Sequence, residues 1–285
     1  MSVQERSVET PESAIGRQII GEDILSVMPA RHLAATFDRD EGGMLDGAAL
    51  PPGWHWLYFL DAPPSDVLGH DGRTVPSGFL PETGLPRRMW AGGSFTFQQD
   101  LTLGGDAECR TTIENITRKE GRSGALAFIT TEHRISQGGN EALVETRDLV
   151  FREAPRPGET PKHFDPPAKA VWRREITPDP VLLFRFSALT FNAHRIHYDI
   201  DYCRTEEGYP NLVVHGPMLA LLLLDLAERE LPGRRFRQFR YRGVSPLFVP
   251  DRFAVCGCTD RDDHALLWIE GPGGGLAMTA ELDLA

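Results

Sequence analysis

Residues 213–230 read VVHGPMLALLLLDLAERE and are apolar almost all round for three turns. A helix with a single apolar stripe lies on a surface, whereas a helix apolar on every side has to be enclosed. A glycine and a proline open the run and charged residues close it, which suits the start and stop chemistry of a helix. Its uninterrupted apolar stretch, 218–224, is far too short to cross a bilayer. The rest of the chain therefore has to build a wall around this helix.

The material for that wall is strand-like. Downstream lie runs at 235–241, 252–259 and 265–270, and a last one at 276–284 after the glycine turn GPGGG. Upstream, runs at 94–99, 107–116, 124–136 and 142–151 are rich in Thr, Ile, Phe and Val. Hairpin-type turns such as KEGRSG and SQGGNE join them. A helix is expected over 21–36, a proline- and glycine-rich section follows over 51–93, and a further strand is expected over 181–186. The segment APRPGETPKHFDPPAKA, 154–170, has no periodicity and reads as an extended linker. The expected organisation is thus an N-terminal unit over 1–153, a linker over 154–170 and a C-terminal unit over 171–285. One buried helix wrapped by an antiparallel sheet is a hot-dog architecture, of class α+β. Both halves carry a helix and then several strands, without visible sequence repetition, so a double hot-dog rests in part on the resemblance given below.

Composition narrows the function. The 285 residues, 41% hydrophobic and 25% charged, are those of an ordinary globular chain able to bury a core. A formal net charge of −11 repels phosphate backbones and argues against a nucleic-acid partner. Small anionic ligands stay open, because a local cluster of arginines overrules a global charge. The four cysteines, Cys109, Cys203, Cys256 and Cys258, form no CxxC pair, so neither a disulfide framework nor a zinc site is expected. In a strand Cys256 and Cys258 point to the same face, as small apolar core residues. The opening MSVQERSVETPES lacks a basic region followed by an apolar run, so the expectation is a cytoplasmic protein with no membrane partner.

The chemistry is concentrated in LTFNAHRIHYD, 189–199. Asn192, His194 and His197 stand within six residues. Imidazole titrates near neutral pH, so it takes a proton from water and returns one. An amide five residues from the second histidine suits holding that water or orienting the ring. Downstream, His215 and Gly216 stand at the start of the apolar helix. Free N–H groups and the helix dipole there suit a negatively charged oxygen, and a glycine lets a ligand approach the backbone. A thioester carbonyl held in this way would be polarised as in an oxyanion hole.

FSALTFNAHRIHYD, 186–199, resembles the signature of the MaoC-like R-specific enoyl-CoA hydratases, roughly Y-A-x-L-S-G-D-x-N-P-x-H. Laid on it without gaps, Asn192 falls on the family's catalytic aspartate, His194 on its asparagine and His197 on its catalytic histidine. VVHGPMLA, 213–220, is similar to the family's helix start, which gives Gly216 the oxyanion-hole N–H, and SPLFVPD, 245–251, resembles the strand after the central helix. An amide cannot accept a proton as a carboxylate does, so the resemblance leaves the base role to His197, with Asn192 positioning the ring or the water. His194 is a candidate second acid–base group. The TFN-x-H-x-IH form and LPRRMWAGG, 85–93, resemble one branch, double hot-dog hydratases of 3-methylfumaryl-CoA (mesaconyl-CoA) and itaconyl-CoA.

That branch implies hydration of a five-carbon dicarboxylyl-CoA to citramalyl-CoA, with no metal or other cofactor and with coenzyme A entering only as part of the substrate. A free carboxylate calls for arginine. The candidates are Arg87, Arg88, Arg195, Arg240 and Arg242, with Arg87-Arg88 beside Trp90 first and coenzyme A phosphates as competing ligands; His215 joins Trp90 in the pocket wall. Hot-dog sheets pair, which two halves satisfy within one chain; a homodimer is a further expectation of the resemblance. Competing functions are a 3-hydroxyacyl-thioester dehydratase of fatty-acid metabolism, a thioesterase, for which the motif offers no carboxylate before Asp199, and a non-catalytic acyl-CoA binding protein.

Overall fold

A computed structural model of the chain describes residues 10–75, 78–121, 124–153 and 163–285. In chain order its regular elements are β1 (Gln18–Ile24), α1 (Val27–Thr36), β2 (Arg87–Phe97), β3 (Asp106–Gly121), β4 (Gly124–Gln137), β5 (Asn140–Arg152), β6 (Trp172–Ile176), α2 (Pro180–Leu189), α3 (Ile200–Thr205), α4 (Gly216–Glu230), β7 (Phe236–Gly243), β8 (Phe253–Arg261), β9 (His264–Glu270) and β10 (Leu276–Leu284). The strands form one 10-stranded sheet in the order β1-β3-β4-β5-β2-β7-β10-β9-β8-β6. Every pairing is antiparallel.

The two halves of the chain meet at β2 and β7, where Gly93 pairs with Tyr241 and Phe95 with Phe239. Glycine is required at 93: a Cβ there would overlap the Thr146 carbonyl and come 2.6 Å from the Tyr241 hydroxyl. The C-terminal half wraps α4 as expected. Every residue from Met218 to Ala227 is buried, and the helix packs on β6, β8, β9 and β10. Burying each of its leucines contributes about 1.5–3 kcal/mol. The N-terminal half is wrapped less completely. Its helix α1 has 10 residues against the 15 of α4, and it packs on α2 and the Trp54–Leu57 turn rather than along the sheet. The concave face of β3, β4 and β5 is left lining a cavity. The arrangement is a double hot-dog with one full and one shortened central helix.

Asp225 is the charged residue within the buried stretch Met218–Ala227, and it is anchored. Its carboxylate, without side-chain exposure, accepts from Arg174 at 2.8 Å and Arg229 at 3.0 Å and lies 3.2 Å from Arg39. Arg174 also donates to the Phe37 carbonyl at 3.1 Å, so the cluster ties α4 to β6 and to the end of α1. Removing the anion leaves Arg174 and Arg229 without a carboxylate partner against the buried helix, while Arg39 keeps Glu228 at 2.8 Å. Asp225→Ala should therefore cost about 3 kcal/mol of stability in urea unfolding, with Asp225→Asn intermediate. A loss under about 0.5 kcal/mol for the alanine variant contradicts this account.

Three local expectations are corrected. Residues 181–186 lie in a helix, α2. Asp179 caps it by accepting from the Leu182 N–H at 2.7 Å, Pro180 stands in its first turn, and Leu183, Phe186 and Ser187 face inward at helical spacing. The stretch 21–36 is an edge strand followed by a helix. SPLFVPD is not a strand: between a bend at Ser245 and a turn at Val249–Pro250 it makes a single bridge, Val213 with Phe248. In the linker, residues 154–162 lie outside the described residues, while Ala168 and Ala170 pack over Cys256, Cys258 and Trp268 on the outer face of the sheet. All four cysteines are buried and free. Among the described residues no helix is long and apolar enough to cross a membrane.

Candidate active site

The loop after α2 is bent into place by its own side chains. The Thr190 hydroxyl donates to the Phe186 carbonyl at 2.8 Å, Phe191 turns through a left-handed φ of 49°, and the Asn192 Oδ1 accepts from the His194 N–H at 3.0 Å. A single tight turn, Arg195–His197, follows, and Asp199 then caps α3. This path carries His197 inward, to 7% exposure. Its Nδ1 lies 2.7 Å from the carbonyl of Val213, two residues ahead of His215. A carbonyl only accepts, so Nδ1 carries the hydrogen and Nε2 holds a lone pair. His197 is among the residues that line the cavity.

Two further imidazoles surround it. His215, fully buried, stacks on His197 with ring centroids 3.6 Å apart and planes 17° apart, and its Nε2 pairs with the Ser187 hydroxyl of α2 at 2.8 Å. His194 meets His197 edge-on at 5.6 Å, with its Nε2 buried and unpartnered. Burial pulls His197 down to about 4, with the Val213 carbonyl opposing and the charge of Arg73 adding to the fall. Burial, Arg73, His197 and Arg88 bring His194 to about 2, and burial among its neighbours holds His215 well below the usual range. All three rings are neutral at pH 7.

Gly216 is the first residue of α4, so its N–H has no acceptor within the helix. It lines the same cavity as His197. Trp90, from β2 of the other half, lies against it: a Cβ on Gly216 would be 2.8 Å from the indole Cε3. Trp90 in turn stacks on Tyr241 at 4.7 Å. A helix N-terminus, a lone-pair nitrogen and an aromatic wall thus bound one space.

The N-terminal half supplies the charge. The 69–74 loop is pressed on the motif: a Cβ on Gly72 would overlap the Ala193 carbonyl, and the Asp71 carbonyl accepts from the Arg195 N–H at 2.9 Å. Arg73, two residues on, is held by the Asp71 carboxylate at 2.7 Å and donates to the Arg88 carbonyl at 2.7 Å. The Arg88 guanidinium itself makes no hydrogen bond or ion pair among the described residues. Burial and the charge of Arg73, offset by Asp71, lower it to about 10. The cavity, about 1670 Å³, continues over the concave face of β3, β4 and β5, where Thr111, Thr131, His133, Glu145 and Arg147 stand among the apolar Cys109, Leu126, Ile135, Leu149 and Val150. There Glu145, 1% exposed, bonds His55 at 2.9 Å, Trp56 and Arg147. Burial pushes Glu145 up, but Arg147 and His55 outweigh it and hold the carboxyl below its usual range. His133 sits between the hydroxyls of Thr111 and Thr131 at 2.8 and 3.0 Å, and burial brings it to about 3.

Of the residues singled out in the sequence, Asn192, His194, His197, Gly216, Trp90, Arg87 and Arg88 line this one cavity, with His215 behind His197 and outside the lining. Asn192 differs from expectation in its contact. Its oxygen shapes the turn at His194 and does not reach the His197 ring, which leaves its amide N–H groups for the cavity. Arg87 is engaged by the Glu207 carboxylate at 3.1 Å and carbonyl at 2.9 Å. Arg195 turns to Asp199 at 2.7 Å and to the Tyr202 ring. Arg240 pairs with Asp283 at 2.8 Å and Glu281 at 3.1 Å, and Arg242, like Arg240, alternates with inward Tyr241 on β7. Arg195, Arg240 and Arg242 are outside the cavity lining. Arg73, Asp71 and Ser187 were not anticipated. Arg73 stands alone in a stretch rich in proline and glycine, where no periodicity marks a side chain as inward.

The chain matches the hydroxyacyl-thioester dehydratase type 2 family over residues 53–249. It is 44% identical over 274 residues to a mesaconyl-C(4)-CoA hydratase of Chloroflexus aurantiacus, covering 95% of this chain and 96% of that one. It is 29% identical over 257 residues to the mitochondrial hydroxyacyl-thioester dehydratase type 2 of Schizosaccharomyces pombe, covering 78% and 81%. Among solved structures, a MaoC-like dehydratase from Phytophthora capsici superposes with a TM-score of 0.72 at 13% identity, covering 98% and 99% of the two chains.

Proposed function

Because the chain belongs to the hydroxyacyl-thioester dehydratase type 2 family of MaoC-like hot-dog hydro-lyases, and is a hydratase of coenzyme A thioesters, we propose that it adds water to a five-carbon unsaturated dicarboxylyl-CoA. Mesaconyl-CoA (3-methylfumaryl-CoA) or itaconyl-CoA is the substrate and citramalyl-CoA the product. The observation that carries this reading is the bond from His197 Nδ1 to the Val213 carbonyl, at 2.7 Å. It turns a lone pair toward the space at the start of α4.

The thioester oxygen accepts from the Gly216 N–H, which drains charge from the conjugated double bond. His197 Nε2 takes a proton from a water held with the Asn192 amide, and the hydroxide adds to the β-carbon. Electrons move onto the thioester oxygen as an enolate. His197, now an imidazolium, returns its proton to the α-carbon, so one water is added and the ring ends neutral. His194 Nε2 is closed off by burial, which favours His197 as the single proton carrier. The charged ring is stabilised by the Val213 carbonyl and by the face of His215. Itaconyl-CoA, whose double bond is not conjugated with the thioester, fits this scheme less directly than mesaconyl-CoA.

Gly216→Ala tests the oxyanion corner. The added methyl displaces Trp90 and shifts the first turn of α4, and kcat/KM should fall by about 100-fold with the circular dichroism spectrum unchanged. Normal kinetics in that variant count against the assignment.

The size of the cavity favours a second reading, a dehydratase of long-chain 3-hydroxyacyl thioesters. The polar groups of the β3–β5 wall weigh against it: Thr111, Thr131, His133 and Arg147 stand among Leu126, Ile135, Leu149 and Val150, so part of an alkyl chain there would lie against polar groups. Turnover on mesaconyl-CoA, crotonyl-CoA and a long-chain 2-enoyl-CoA separates the two. We expect mesaconyl-CoA to lead; a preference for the long chain establishes the second reading instead.

A further inference from the structure

We infer that Arg88, with Arg73 beside it, is the receptor for a carboxylate carried on the β-carbon of the acyl group, the carbon that receives the hydroxyl. This deepens the proposed hydration and rests on it for the identity of the ligand. Three observations converge.

Arg88 lies in the cavity wall, its guanidinium with no ion pair or hydrogen bond among the described residues. An exposed arginine without a partner is ordinary; a largely buried one is costly, since the cation gives up water and gains nothing in return. Arg87, its neighbour, is satisfied by Glu207 and shows what pairing here looks like. The local charge is also out of balance. Arg73 and Arg88 face one carboxylate, Asp71, and the three imidazoles nearby are neutral. In a chain with a net charge of −11 this wall is one anion short.

The position is equally specific. Both guanidinium charges bear on His194, and that of Arg73 on His197. An anion held by them therefore lies beside the carbon attacked by the water that His197 activates. Arg73 is fixed by Asp71 and by the Arg88 carbonyl, so the receptor is built before substrate arrives.

Its role extends past binding. A carboxylate on the β-carbon repels an incoming hydroxide. Two guanidinium groups cancel that repulsion and make the carbon more electrophilic, so the pair assists addition as well as recognition. Mesaconyl-C(4)-CoA and itaconyl-CoA both place a carboxylate on this carbon. Crotonyl-CoA is the former with a hydrogen in its place. A phosphate of coenzyme A, the competing ligand for these arginines, is common to every substrate and gives no such discrimination.

The test is Arg88→Met, with Arg73→Met as the second variant should the first not fold. The ratio of kcat/KM on mesaconyl-CoA to that on crotonyl-CoA should fall by at least about 100-fold. A ratio within about threefold of the parent enzyme overturns the receptor and assigns the arginines to coenzyme A or to structure. Equilibrium binding of methylsuccinyl-CoA and butyryl-CoA, which cannot be hydrated, reads the same preference without turnover. A parent protein that prefers methylsuccinyl-CoA yet hydrates nothing keeps the receptor and removes the proposed reaction. One that hydrates both enoyl thioesters and binds both saturated ones alike does the reverse.

Discussion

His197→Ala is expected to lower kcat by at least about 100-fold on the preferred enoyl-CoA, with KM changed much less. The ring makes one hydrogen bond, to the Val213 carbonyl, and lies against His215. Of the three polar side chains that the motif loop offers, the other two do not combine a basic lone pair with a fixed orientation. His194 has its Nε2 buried, and Asn192 has no basic atom. His197→Asn should be as inactive as the alanine variant while filling more of the space. The pH profile carries a matching signature. His197 is lowered to about 4, so protonation removes the lone pair only as the pH drops through that value. Activity should stay level from pH 8 to pH 6, without the fall near pH 6.5 that a solvent-exposed histidine would impose. An alanine variant within threefold of the parent, or an acid limb centred at 6.5, contradicts the assignment.

Acid should unfold the protein early. His133, His194, His197 and His215 all have folded-state values depressed by burial, whereas the unfolded chain titrates near 6.5. The contribution of these rings is complete above about pH 6.5. Below it the unfolded state binds protons that the folded state refuses, and stability is lost as the pH falls toward the folded values. Each ring contributes at most about 1.4 kcal/mol per pH unit, so four approach about 5 kcal/mol per unit below pH 6. That rivals the whole stability of many domains. Glu145, with a lowered value, adds to the loss only at still lower pH. The urea midpoint should therefore drop steeply between pH 7 and pH 5. His133→Gln, which removes one such ring away from the catalytic loop, should make that drop shallower. A midpoint independent of pH over this range rules the account out. The rate profile must accordingly be read with a folding control at every pH below about 6.5.

Much of this was legible in the residues. The all-round apolar run at 218–224 required an enclosing sheet, and the β-branched stretches downstream identified its strands. The motif named its own histidines. What stayed hidden has physical reasons. In α2 the helical period is masked because Val181 and Phe184 are large, apolar and exposed, so the segment reads as a strand. The contact of the Asn192 oxygen stayed hidden because an amide next to a turn satisfies the nearest backbone N–H before it reaches a distant ring. The arginines could not be ranked, since pairing partners such as Glu207 for Arg87 and Asp283 for Arg240 come together only in the fold. Arg73 was invisible for the same reason: a loop of the first half places it on the histidines of the second.

The central claim is that water adds to an acyl-CoA double bond through His197. Incubation with mesaconyl-CoA in heavy-oxygen water, followed by mass spectrometry of the thioester, tests it most directly. The account predicts citramalyl-CoA carrying one heavy oxygen on its acyl group, formed by the parent enzyme and not by His197→Ala. Release of free coenzyme A with the label in the free acid, or equal labelling by the His197→Ala variant, would contradict it.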